Sequence, residues 1–258
     1  MLSNRVIPVL LVKDHGLVKT RGFDQPTYVG DPINAIRIFN EKEVDELALL
    51  DINATPMNRG PNFELVQDVA SECFMPLAYG GGIRGLDDAK RLFNLGVEKV
   101  ILRSTAATNL PAVTAIATYA GSSSVTVSID VLRGRFGRSS VFCPGSDLDG
   151  SLDWVGHLRR AIDAGAGEIL LNSVDRDGSM AGMDTGLISE AASATTVPLV
   201  AVGGVGSLAH IKEAIQAGAD AVGCGSFFVF HGPRRAVLIT YPGYAVLSGL
   251  LGTLDDSA

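Results

Sequence analysis

The chain has 258 residues, 47% of them apolar and 19% charged, with a positive mean hydropathy. That is enough to bury a large core and excludes a disordered chain. The 21 basic and 28 acidic residues leave a formal charge of −7, which argues against a nucleic-acid binder with its basic face.

Residues 5–12 (RVIPVLLV) open a series of short apolar runs rich in β-branched residues. Asp31 followed by Pro32 reads as an N-cap and first-turn proline ahead of INAIRIFNEK. The next runs are residues 46–52 and 76–80, with Pro61 before the amphipathic NFELVQDVASE between them. A helix over 86–95 ends at Gly96, and one over 207–217 ends at Gly218, both glycines just past the last helical residue. The remaining runs are 99–104, 124–131, 168–174, 199–203 and 219–225. All eight runs are apolar nearly throughout, as in strands buried on both faces of a parallel sheet. Eight βα units in about 250 residues predict an α/β fold, a single (β/α)8 TIM barrel over residues 1–258. A doubly wound sheet is the alternative, but it usually has fewer strands at this length. No linker, low-complexity segment or charge block marks a domain boundary.

An internal repeat supports the barrel. Shifted by 122 residues, PLAYGGGIRGLDDAKRLFNLGVEKVILRS (76–104) overlays PLVAVGGVGSLAHIKEAIQAGADAVGCGS (198–226) without a gap, with nine of 29 positions identical. The same shift lays Glu46 on Glu168 and Asn62 on Asp184. Two half-barrels of four βα units each account for that register.

The repeat also points to a ligand. Gly81–Gly82 and Gly203–Gly204 follow the third and seventh strands, and Ser104 and Gly225–Ser226 end the fourth and eighth. Glycines there let backbone N–H groups approach an anion, and the loops after the last two strands are the usual phosphate site of such barrels. Duplication suggests a small phosphorylated ligand with a phosphate at each end; tight βα turns are the structural alternative. Asp51, Asp130 and Asn172 end the second, fifth and sixth strands, where a carboxylate faces the active mouth and is able to exchange protons. Asp130 closes the apolar run VTVSI, which argues against a surface cap. Asp51 could equally be structural. Asp177 and Gly178, in DRDGS, join the phosphate-binding set, with turn formation as the alternative. Lys19, near the first βα loop, could clamp a phosphate or be solvated. Trp154 reads as packing.

Four histidines show no metal-ligand spacing, and no P-loop appears, so neither metal nor organic cofactor is expected. Cys73, Cys143 and Cys224 form no CxxC pair, which fits a reducing cytosol and a cytoplasmic protein. The first apolar run is too short for a signal peptide. Residues 237–251 are broken by Pro242, Gly243 and Gly249, so no membrane span is expected.

RVIPVLLVKDHGLVK, ELALLDI, GGGI, AGAGEILLNSVDRDG and VGGVGS resemble the cyclase subunit of imidazole glycerol phosphate synthase over residues 1–230. The resemblance implies a (β/α)8 barrel with a two-phosphate substrate, docked to a glutaminase whose ammonia passes through the barrel. It makes Asp130 one of two catalytic aspartates. It makes Arg5, Glu46, Lys99 and Glu168 a ring of alternating charges where ammonia enters, and Glu98 a position that meets the glutaminase. Two departures matter. Leu11 stands where the family has its other catalytic aspartate, and a leucine cannot transfer protons. Arg103 replaces an asparagine at the end of the fourth strand, bringing a charge to the phosphate site or crowding it. The loop RGRFGRSSVFCPGSDLDG also differs. These departures resemble a paralogue group of surface-polysaccharide pathways. There the barrel and glutaminase supply ammonia to a sugar amidotransferase that forms an acetamidino group from an N-acetyl group. The alternatives are an authentic cyclase of histidine biosynthesis and a non-catalytic scaffold that activates the glutaminase.

Overall fold

The computed structural model describes residues 4–134, 139–144 and 152–252. Eight parallel strands form a closed barrel: β1 (Arg5–Lys13), β2 (Leu47–Asp51), β3 (Leu77–Gly80), β4 (Lys99–Leu102), β5 (Val125–Arg133), β6 (Glu168–Ser173), β7 (Leu199–Val202) and β8 (Ala221–Cys224). Each pairs with its chain neighbours, and β1 pairs with β8, Arg5 opposite Ala221, to close the ring. Closure leaves no barrel edge unpaired. The eight runs read from the sequence are these eight strands.

The main helices alternate with the strands: α1 (Pro32–Glu41), α2 (Phe63–Glu72), α3 (Leu86–Asn94), α4 (Leu110–Ala120), α5 (Trp154–Asp163), α6 (Thr185–Ala194), α7 (Leu208–Gln216) and α8 (Tyr244–Leu251). Their starts follow from capping chemistry. The Asp31 carboxylate accepts from Asn34 N and the Asn62 amide oxygen from Leu65 N. Asp184 accepts from Leu187 N, and Ser207 from His210 N. The repeat-related pair Asn62 and Asp184 therefore cap equivalent helices, α2 and α6.

Strand alternation separates two cores. Outward residues such as Val6, Leu49, Val127 and Ile169 pack beneath the helices in the larger one, with Trp154 buried among them. Inward residues Ile7, Val9, Ala48, Ala78, Ile101, Leu170, Val200 and Ala221 line the barrel axis. Pro198 and Asp220 stand at the lower face just before β7 and β8, and the C-terminal strand ends open onto the upper one, the usual site face of this fold.

Two features were not legible beforehand. After β1 the chain forms a hairpin of strands Gly16–Arg21 and Asp24–Gly30, whose first strand pairs antiparallel with β1. After β5 a short strand, Ser139–Val141, pairs back on it. The rest of that divergent loop, residues 135–138 and 145–151, lies outside the described residues. Among the described residues no helix is long and apolar enough to cross a membrane.

Candidate functional site

The lower end of the barrel is closed by four charges. One Arg5 nitrogen donates to Glu46 and the other to Glu168, the latter at 2.5 Å. Lys99 Nζ donates to Glu46 Oε1 at 3.0 Å and to Glu168 at 3.3 Å. Each carboxylate thus meets both cations. Thr126 Oγ1 completes the shell by donating to Glu168 Oε1 at 2.9 Å. The carboxylate side chains are 7% exposed, while Arg5 is 31% exposed and is the member with most access to solvent. Burial disfavours the Glu168 charge, but Lys99 and Arg5 outweigh it and hold the carboxyl below its ordinary range. Arg5 is likewise penalised by burial and raised on balance by Glu168 and Glu46. A closed zero-sum ring of this kind is fully satisfied. Glu98 lies exposed beside it, immediately before Lys99.

Above the ring the axis is apolar, packed by the alanines at 48, 78 and 221 together with the larger Ile7, Val9, Ile101, Leu170 and Val200. It widens into a cavity of about 430 Å³ at the upper face, lined among others by Leu11, Leu50, Arg103, Asp130, Asn172 and Val202. Leu11 is paired in register with Leu50, so two leucines form this side of the mouth.

Asp130 is 3% exposed. Arg103 reaches into the mouth and its Nη1 donates to Asp130 Oδ2 at 3.2 Å. Ser128 Oγ stands 3.5 Å from the other carboxylate oxygen. Asn172 lies beside Asp130 in register, and its amide adds a hydrogen bond that favours the charged form. Burial nevertheless dominates and raises the proton affinity of Asp130. Asn172 Oδ1 is buried without a hydrogen-bond partner among the described residues, 3.1 Å from where a Cβ on Gly203 would stand, while the residue lines the cavity.

The glycine loops converge on the same cavity. Gly81, Gly82, Gly203 and Gly204 all line it with positive φ. A Cβ on Gly204 would sit 2.2 Å from the Gly182 carbonyl oxygen, and one on Gly82 would sit 2.7 Å from that of Arg59. Close loop packing therefore demands glycine as strongly as a ligand would. Ser104, Gly225 and Ser226 line the mouth as well.

Other candidates have more definite roles. Lys19 is not solvated: it is 4% exposed and donates to the Val9 carbonyl at 2.6 Å. Burial lowers its pKa to about 8, partly offset by Asp177, and its Nζ stands on the cavity wall next to Gly225. Asp51 uses one oxygen to accept from Asn53 N and Ala54 N, and so shapes the loop after β2. Asp177 is more than a local turn former. Its Oδ2 accepts from Thr20 Oγ1 at 2.8 Å and Phe23 N at 3.1 Å, pinning the hairpin to the loop after β6. Gly178 faces the Thr20 carbonyl, 2.0 Å from where a Cβ would stand. Phe23 then meets Phe142 edge-on at 5.6 Å, bringing the hairpin against the loop after β5.

Thr126 and Ser128 were missed. Both precede Asp130 at a spacing of two, and the strand period alone turns them to the same inner face. Among the described residues no group of three or more His, Cys, Asp or Glu is arranged to hold a metal ion.

Residues 5–233 match the histidine biosynthesis protein family. The chain is 52% identical over 246 residues to a protein of Pseudomonas aeruginosa provisionally named imidazole glycerol phosphate synthase subunit hisF2, covering 94% of this chain and 97% of that one. It is 46% identical over 244 residues to a Leptospira borgpetersenii protein provisionally named subunit HisF, covering 94% and 96%. A Vibrio vulnificus protein provisionally named hisF3 is 44% identical over 247 residues, with 94% of each chain covered. With a closed eight-stranded barrel, matched glycine loops and this extent of similarity, the chain belongs to the histidine biosynthesis protein family, among its imidazole glycerol phosphate synthase HisF-type subunits.

Proposed function

We propose that this barrel is an ammonia conduit rather than a cyclase. A partner glutaminase docks at the charge-ring end, near Glu98. Ammonia enters when Arg5 or Lys99 swings aside, moves along the apolar axis and leaves at the upper mouth. There a sugar amidotransferase uses it to convert an N-acetyl group to an acetamidino group in surface-polysaccharide synthesis.

The observation that carries this reading is Leu11, an apolar side chain on the mouth where the cyclase family has a catalytic aspartate. Loss of a positioned acid–base group costs on the order of 10²- to 10⁴-fold in rate. Arg103 adds to it: its guanidinium holds one oxygen of the Asp130 carboxylate in an ion pair. The retained cradle of Gly81, Gly82, Ser104, Gly203, Gly204, Gly225 and Ser226, with Asp177 and Gly178 in the adjoining loop, then holds an anionic ligand without cyclising it.

The test is turnover of the two-phosphate cyclase substrate with ammonium salt as nitrogen source. The unmodified chain gives no product above background. Leu11→Asp with Arg103→Asn restores measurable turnover, because the rest of the mouth is intact. Robust turnover by the unmodified chain would overturn the conduit reading in favour of an authentic cyclase.

A further inference from the structure

We propose that Arg103 is an anion-responsive switch: a phosphate-type oxyanion held at the loop after β3 draws its guanidinium off Asp130, and the released carboxylate takes up a proton from solvent. The inference rests on the anion cradle of the proposed reading and not on the ammonia route. Arg103 stands directly after β4, and its side chain crosses to the neighbouring β5. The chain beyond it is anchored the other way: Thr105 Oγ1 donates to the Ile83 carbonyl and ties the loop after β4 to the loop after β3. Arg103 therefore lines the cavity between the Asp130 carboxylate and the glycine loop Gly81–Gly82. Its hold on Asp130 is light. Nη1 makes a single bond of 3.2 Å to Asp130 Oδ2, and the other guanidinium donors have no hydrogen-bond partner among the described residues. The side chain is 29% exposed. A guanidinium carries five N–H groups in a fork that matches an oxyanion with two parallel bonds, so a phosphate-type group beside it is the stronger partner.

The proton follows from burial. Asp130 is 3% exposed, and Arg103 is the cation that offsets the cost of its charge. Of the other charged groups on the cavity wall, Asp177 disfavours that charge further, Asp51 is engaged with its own loop backbone, and Lys19 donates to the Val9 carbonyl. With Arg103 drawn away, no second cation pairs with Asp130 among the described residues, and an uncompensated buried carboxylate takes up a proton. Asn172 favours the same outcome. Its amide already hydrogen-bonds Asp130, while its Oδ1 is left without a donor among the described residues. A protonated Asp130 carries the O–H that this acceptor lacks. The exchange thus turns an acceptor-only carboxylate into a donor while the anion is in place.

The experiment titrates the full chain near neutral pH with sulfate, a tetrahedral dianion that does not itself titrate there, and follows assigned NMR signals. In the unmodified chain the Gly81 and Gly82 amides shift, and the Asp130 carboxyl ¹³C signal moves towards its protonated position with the same midpoint. Asp130→Asn frees Arg103 from its competitor and binds sulfate about tenfold more tightly at those amides. Arg103→Gln binds it about tenfold more weakly, and the double variant matches Arg103→Gln, because Asp130 acts only through Arg103. The Gly203 and Gly204 amides keep the same positions and responses in every variant, which verifies that the barrel is folded. An Asp130 signal that stays in place while the Gly81 and Gly82 shifts saturate would overturn the switch and leave the cradle standing. Unchanged affinity in Asp130→Asn would do the same. No response at Gly81 and Gly82 in any variant would overturn the switch together with the cradle it rests on.

Discussion

At the scale of single residues, burial decides which titrating groups matter. His157 is 2% exposed on α5, and burial, helped by Arg160, lowers its pKa to about 4. A depressed folded-state value means the unfolded chain binds the proton first. The stability contribution is therefore complete above about pH 6.5 and is lost as pH falls towards 4. The loss amounts to roughly 3 kcal/mol, from about 1.4 kcal/mol per pK unit. His157→Gln removes this slope, so the difference between the two stability curves, measured by urea unfolding at pH 7 and pH 4, isolates it. Equal slopes would contradict the assignment. Gly178 supplies a steric counterpart. With φ of +63° and the Thr20 carbonyl 2.0 Å from a would-be Cβ, Gly178→Ala must push the hairpin off the loop after β6. It costs about 2 kcal/mol or more, read as a lowered Tm and faster proteolysis at the hairpin. An unchanged melting curve would refute that contact.

The elements show what was readable and what was not. The eight strands were legible because each is buried on both faces and so is apolar along its whole length. The helices were legible from their ends: Asp31 with Pro32 at the start of α1, and Gly96 and Gly218 beyond α3 and α7. The hairpin after β1 was not. Its outer strand, DQPTYVG, is exposed almost throughout and carries no period-two pattern, because it packs on loops rather than on a core. Asp51 and Asp177 had two readings each in the sequence, and only their hydrogen bonds to loop backbone and to Thr20 chose between them. Lys19 was ambiguous for the same reason: whether a lysine is solvated depends on a hairpin that the pattern did not predict. The half-barrel repeat makes a further prediction. Asn62→Ala and Asp184→Ala each remove an N-cap from an equivalent helix and should each cost about 1 kcal/mol by equilibrium unfolding, Asp184→Ala slightly more because it also loses the ion pair with the largely exposed Arg133. A cost at only one of the two would mean that the halves are not energetically equivalent there.

For the molecule as a whole, the two ends of the axis are chemically opposed. The lower end is a closed cluster of four charges, and the upper end is a mouth of leucines, glycines and one arginine-held carboxylate. The ring residues lie far apart in sequence, and only barrel closure brings Arg5, Glu46, Lys99 and Glu168 together. Composition alone would leave them as surface ion pairs; the family resemblance named them and their hydrogen bonds join them. Arg5→Ala leaves two carboxylates to share Lys99. With Arg5 partly exposed, the cost is about 2 kcal/mol, and the variant should leak ammonia between the two subunits. Stability unchanged by this substitution would contradict the closed ring.

The most direct measurement of the central claim is isotopic competition in the assembled system. Glutamine labelled with ¹⁵N in its amide group is supplied with excess unlabelled ammonium, and the ¹⁵N content of the amidated product is read by mass spectrometry. A conduit predicts product carrying mainly ¹⁵N, with enrichment falling in Arg5→Ala. Product at the isotope ratio of the bulk ammonium pool would contradict passage through the barrel.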